Sequence, residues 1–239
     1  MVGSLLLRGM LVGVVAGLLA FGFAKVFGEP PLESAISFEQ HHAHATGTAH
    51  QHEEELVSRA TQAGIGLLTG VVVYGAGVGG LFALAFAFVY GRVGRLGPRA
   101  TAALLALAVF VAVILVPALK YPANPPSVGD PETIGYRTAL FFTMVAISVA
   151  ALVLAVMLGR RLARSMNAWN AGLLAGAVFL AIVAVAQYLL PEIDEIPEHF
   201  SAAVLWRFRL ASLGLQVVLW ATLGLLFSAV TARSVGWRP

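Results

Sequence analysis

Between Phe38 and Glu55 the chain reads FEQHHAHATGTAHQHEEE. His41, His42, His44, His50 and His52, five of the six histidines, fall in this stretch, and Glu53, Glu54 and Glu55 follow directly. Neutral imidazole is the commonest protein ligand for borderline divalent ions, and neighbouring carboxylates add oxygen donors and negative charge. Gly47, flanked by Thr46 and Thr48, lets the HHxH half fold back towards the HxH half, so that four or more ligands can converge. Metal capture is the chemistry this pattern suits, against the plainer readings of a solvated polar loop or a pH sensor. Cobalt, nickel and zinc all fit His with carboxylate, whereas a His loop alone prefers Cu(II) by intrinsic affinity. With no Cys and no cluster of Met there is no dedicated Cu(I) site.

Two further polar segments carry candidate ligands. LKYPANPPSVGDPETIGYR (Leu119–Arg137) offers Asn124, Asp130 and Glu132 among prolines and glycines. PEIDEIPEHFSAAVLWRFR (Pro191–Arg209) offers Asp194, Glu195, Glu198 and His199. Proline restricts the backbone, which lowers the entropy lost in holding such groups together. These seven residues are the candidate entrance for a cation, with Arg137, Arg207 and Arg209 as balancing charges that keep binding weak enough for release. The plainer reading of these arginines is interfacial anchoring and surface ion pairing.

The elements that must position these groups are apolar. Of 239 residues, 59% are hydrophobic and 11% charged, and the mean hydropathy is +0.86. A soluble domain is nearer 45–50% apolar and about 25% charged, so the chain reads as an all-α integral membrane protein. Apolar runs of about 20 residues predict six spans: Ser4–Phe27, Thr61–Tyr90, Ala100–Leu119, Thr138–Leu158, Ala168–Leu190 and Leu210–Ala232. The first lacks a cleavage site of signal-peptide type before Glu29 and reads as a retained span. Residues 1–239 form a single transmembrane domain, with residues 28–59 as a His-rich loop outside the cytoplasm.

Alternate connections carry Arg8, then Arg92, Arg95 and Arg99, then Arg160, Arg161 and Arg164, then Arg233 and Arg238, with no acidic residue. The opposite side holds the other six basic residues, all twelve carboxylates and all six histidines. The positive-inside rule therefore puts both termini in the cytoplasm and the acidic, His-bearing side outside. A basic pI in a soluble protein suggests nucleic acid; this distribution points to membrane lipid instead.

The spans pair along the chain as three hairpins. Each outward helix ends near Pro (FGEPPLE, KYPANPP, YLLPEIDEIP) and each returning helix starts after Arg, a pattern compatible with triplication. Gly9, Gly13 and Gly17 in the first span, and Gly172 and Gly176 in the fifth, have the four-residue spacing that lets helices approach closely in lipid. YGAGVGG (Tyr74–Gly80) reads as a close-packed helix or, alternatively, as a break exposing backbone carbonyls. The membrane interior holds no Asp, Glu or His; its polar groups include Gln62, Thr143, Ser148, Gln187 and Gln216. There is no P-loop, no H-E-x-x-H and no nucleophile elbow. An enzyme is therefore not expected, and no organic cofactor.

LKYPANPPSVGDPETIGYRT, the segment from Pro191 to LWRFRLASLG, and HHAHATGTAHQHEEELVSR together resemble the CbtA family of predicted cobalt transporter subunits, over essentially the whole chain. The resemblance implies a multi-pass protein of the cell membrane that takes up cobalt(II), connected to cobalamin synthesis. It also implies a small single-span partner subunit, CbtB, bearing its own histidines. The alternative is a membrane metal-binding accessory or sensor that presents metal to a partner without transporting it.

Overall fold

The computed structural model describes residues 2–45, 57–92 and 96–234. It contains six helices long and apolar enough to cross a membrane: α1 (Val2–His41), α2 (Arg59–Val89), α3 (Pro98–Lys120), α4 (Pro131–Leu162), α5 (Ala168–Leu189) and α6 (Ala202–Ala232). No strand occurs among the described residues. The acidic residues among those described lie at one end of the bundle, the acidic end.

Neighbours in sequence are not always neighbours in space. α1 and α2 pack along their length, α6 lies against α1 and α3, and α5 packs on α4. α5 and α6 have at most marginal contact, so the third hairpin exists in connectivity without being a packed pair. One core joins Ala16, Ala20, Phe82, Phe86, Leu219, Leu223 and Phe227 of α1, α2 and α6. A second joins Val116, Met144, Val183 and Ala186 of α3, α4 and α5.

Glycine sets the α1–α2 distance. A Cβ on Gly17 would lie 2.8 Å from the Val71 carbonyl oxygen, and Cβ atoms on Gly9 and Gly13 would sit still closer to the carbonyls of Gly79 and Gly75. The YGAGVGG stretch is therefore an unbroken helix, Leu67–Val89, whose Gly75 and Gly79 face the glycines of α1. The alternative of a break there is excluded. In α5 the small face used is offset by one residue. Ala171 and Ala175 are buried, whereas Gly172 and Gly176 face open space and mediate no close approach within the chain.

The irregular backbone lies elsewhere. At Ala24–Gly28 and Phe110–Leu115 the helix widens so that each N–H reaches back five residues rather than four. Both of these wide turns precede proline, whereas a third, at Gln62–Gly66 in α2, does not. The Glu29 N–H donates to the Ala24 carbonyl ahead of Pro30, and the Val116 N–H donates to the Val111 carbonyl ahead of Pro117. Pro117 has no N–H, which leaves the Ala112 carbonyl without a helical donor inside the membrane. The Ser148 hydroxyl of α4, fully buried, donates to it. Gln187 of α5 donates through Nε2 to the Val116 carbonyl at 2.9 Å. The Ser148 hydroxyl thus closes the gap that Pro117 opens in α3, while Gln187 ties α5 to the turn that follows. Ser148→Ala should lower unfolding stability in detergent by about 1 kcal/mol, in the range of interhelical hydrogen bonds in lipid. An unchanged unfolding midpoint would show that the Ala112 carbonyl finds another donor.

The wide turn at Ala24–Gly28 also corrects the reading of the first polar segment. Pro30 and Pro31 do not end the first span, because proline is accepted in the opening turn of a helix, and Glu29–Ala45 continues as helix. Residues 29–45 of the segment read as a loop are therefore helical, an extension of α1 beyond the membrane-spanning length. α6 likewise begins at Ala202 rather than Leu210, so Trp206 to Arg209 lie within the helix.

Candidate functional site

The acidic end is a packed cap. Ala35 on the α1 extension, Val128, Phe200 and Leu205 are buried together, and Phe38 meets Phe200 edge to face with ring centroids 5.1 Å apart. The Tyr121 hydroxyl donates to the Pro191 carbonyl at 2.9 Å, joining the α3–α4 and α5–α6 connections. Arg59 at the start of α2 donates to the Glu29 carboxylate at 2.7 Å, with both side chains partly buried. This pair clamps together the two ends of the segment that carries the histidines.

His41 is exposed on the α1 extension. The helix backbone continues through His42 and His44, so the HHxH half is borne on a helix. His50, His52, Glu53, Glu54 and Glu55 lie outside the described residues.

The candidate entrance residues are brought to the same end but not to one point. Asn124 accepts from Arg209 Nη2 at 2.8 Å. Asp130 caps the turn Pro131–Thr133, accepting from the Glu132 N–H at 2.9 Å. Glu195 takes three partners through one oxygen. The Asp130 N–H donates to it at 2.7 Å, the Thr133 hydroxyl donates at 2.9 Å, and Arg137 Nε stands 3.4 Å away. Asp194 lies within electrostatic reach of Arg209. Glu132, Asp194, Glu198, His199 and Arg207 are exposed. Among the described residues no three His, Asp or Glu side chains stand close enough to hold a metal ion.

Arg137 owes its position to Gly129. The guanidinium lies so close to Gly129 that a Cβ there would overlap it, and Gly129 has φ +116°, a conformation that favours glycine. Arg137 also donates to the Asp130 carbonyl at 3.0 Å. Arg137, Glu195 and Asp130 thus lock the two polar connections together. This role was not apparent from residue types, since pairing across 65 positions of sequence leaves no local signal.

The Glu195 carboxyl is held below its ordinary value of 4.5, chiefly by the Asp130 N–H, then by the Thr133 hydroxyl, with a smaller pull from Arg137 against the opposing effect of burial. A carboxyl whose folded pKa is depressed contributes stability that is present above its unfolded pKa and lost as the pH falls through the folded one. The unfolding midpoint should therefore fall on acidification below the ordinary glutamate range. Glu195→Gln should start lower at neutral pH and respond less to acid; parallel pH curves for the two proteins would remove Glu195 from this role.

Between α4 and α6, backed by α3, lies a cavity of about 890 Å³. It reaches from Pro122 and Asn124 at the cap down to Ile114 and Gln216 within the spans.

Six apolar helices capped by a polar, proline-rich end define a multi-pass membrane protein. Residues 2–232 match the family described as "Probable cobalt transporter subunit (CbtA)". The chain belongs to that family, which gives it a part in cobalt transport as a subunit that implies a partner. No curated protein and no solved structure matches it.

Proposed function

We propose that this chain is the membrane-embedded subunit through which cobalt(II) enters the cell, with the acidic end outside and the His/Glu segment capturing the ion. The observation that supports this reading is the way the histidines are mounted. The α1 extension bearing His41 is fastened to the cap through Phe38 and Phe200, and the Glu29–Arg59 pair ties the segment's two ends together. A cluster of ligands held in this way raises the local metal concentration at the mouth of the protein. Nickel and zinc suit the same donors, so selectivity for cobalt rests on the family. The protein is not an enzyme on this reading, and its partner is a small single-span subunit of the CbtB type.

The candidate entrance residues take a lesser part. Glu195 is engaged as a structural anchor, and Asn124 is bound to Arg209. Glu132, Asp194, Glu198 and His199 act as single rim ligands that pass the ion on. Their charge is balanced by the neighbouring arginines Arg137, Arg207 and Arg209.

Uptake of labelled cobalt into proteoliposomes containing only this chain tests the proposal. Accumulation above protein-free vesicles is the expected result. Saturable binding without accumulation would favour the alternative, a membrane accessory that presents metal to its partner.

A further inference from the structure

The cavity between α4 and α6 has the wrong charge for a metal cation. Its lining includes Lys120, Arg137 and Arg209 and no carboxylate. Ile193 and Ile196 line it, while Asp194 and Glu195 between them do not. The Lys120 side chain is only 10% exposed, and the nearest carboxylate, Glu192, is 3.8 Å away and 93% exposed. Such a pair recovers little of the cost of taking a cation out of water. Arg209 spends one nitrogen on Asn124, and its buried Nε has no hydrogen-bond partner. Gln216 Oε1, deeper in the cavity, is also buried and unpartnered.

Size and wall chemistry add a second constraint. Six waters around a metal ion occupy roughly 180 Å³ at about 30 Å³ each, whereas the cavity measures about 890 Å³. Below the cationic level the walls are apolar, with Ile114, Phe141 and Leu213. Arg209, Leu213 and Gln216 follow one another at helical spacing on one face of α6, so Gln216 stands about 10 Å deeper than Arg209. Leu119, Trp206 and Leu210, which also line the cavity, are exposed on the apolar surface of the bundle. The cavity is thus cationic at the level of the cap, apolar below, and bordered by residues that face lipid.

We propose that this cavity binds the phosphate head of an acidic phospholipid, with Lys120, Arg137 and Arg209 around the phosphate and the apolar walls along the first part of the acyl chains. Guanidinium and ammonium groups donate to phosphate oxygens in strong, charge-assisted hydrogen bonds. The Gln216 amide meets the polar groups where head and chains join. Arg137 already has Glu195, Arg209 has Asp194 within electrostatic reach and Lys120 has the exposed Glu192, but none of these carboxylates lines the cavity, so the phosphate adds negative charge on its inner side and the lipid fills the gap between α4 and α6. The metal does not rest there.

The test reads lipid binding rather than metal flux, so it is independent of the transport proposal. Full-length protein in neutral detergent is titrated with phosphatidylglycerol, with phosphatidylcholine of the same acyl chains, and with inorganic phosphate. Bound lipid is followed by native mass spectrometry and the unfolding midpoint is recorded alongside. Phosphatidylglycerol should bind at least about tenfold more tightly than phosphatidylcholine and raise the midpoint. Lys120→Gln should remove most of that preference, and Leu213→Trp, which fills the apolar part without touching a charge, should weaken binding of both lipids. Lys120→Gln removes only a long ion pair with an exposed partner and so retains folding, whereas Arg209→Gln would break the bond to Asn124. Equal binding of the two lipids overturns the proposal, as does an unaltered preference in Lys120→Gln. Protection by inorganic phosphate alone, with nothing added by phosphatidylglycerol, overturns the lipid assignment in favour of free phosphate.

Discussion

Gly13→Leu should abolish the native packing of α1 on α2, whereas Gly172→Leu should leave the protein intact. The carbonyl of Gly75 occupies the space that any Cβ on Gly13 would need, and the same opposition recurs at Gly9 with Gly79 and Gly17 with Val71. Backbone faces backbone, so no side chain can rotate away to make room. Overpacking in cores costs about 1–3 kcal/mol where neighbours can shift; here the helices must separate, and the upper end or beyond is expected. Separation would also open the core in which Ala16 and Ala20 meet Phe82, Leu219 and Leu223. In lipid there is no hydrophobic force to draw the helices back together, since the tails are as apolar as the side chains they replace. A Cβ on Gly172 meets nothing within 4 Å, and a surface change of that kind is worth within about 0.5 kcal/mol. Detergent unfolding curves of the two variants decide the matter. Equal stability would mean that the α1–α2 contact is not what holds this half of the bundle together.

The six spans were legible because apolar length is a strong signal and the bilayer admits few alternatives to the helix. The glycine repeat of α1 was legible too, but its partner was not. Gly75 and Gly79 occur in YGAGVGG, a stretch with four glycines, and only the register of packing selects those that oppose Gly13 and Gly9. Gly172 and Gly176 show the same spacing and are not used within the chain. Proline misled in one place and informed in another. Pro30 and Pro31 look like a stop signal, yet the wide turn at Ala24–Gly28 delivers the chain into a new helical turn in which proline is tolerated. Pro117 lies inside α3, and the carbonyl it orphans is satisfied by Ser148, 36 residues away from Ala112. Ser148 and Gln187 were visible as polar residues in apolar runs, but nothing local pairs them with α3. The same limit applied to the cap. Glu195 reads as a free carboxylate suited to a cation, and it is committed to Asp130, Thr133 and Arg137 by contacts that are distant in sequence.

The second large effect concerns metal at low concentration. With His41, His42, His44, His50 and His52 all replaced by Ala, the cobalt concentration giving half-maximal uptake should rise at least about tenfold, since gains from multivalent ligation are on the order of 10²–10⁴. Maximal uptake should change little. On the proposed capture reading, a ligand cluster in the segment whose ends Glu29 and Arg59 hold together raises local metal concentration at the cap without itself lining the spans. Once external metal is abundant that advantage disappears. Insertion and folding should also persist, because the contacts that fasten the extension to the cap are made by Ala35 and Phe38, both ahead of His41. Glu53, Glu54 and Glu55 remain in this variant, so weak attraction of cations survives and the defect is one of affinity. A variant that lost uptake equally at every cobalt concentration, while still folding, would instead place the histidines in the permeation path itself. Glu29→Gln separates the two cases further. It removes the clamp but no histidine, so on the capture reading it should raise the half-maximal concentration by less than the five-alanine variant does, again with maximal uptake preserved.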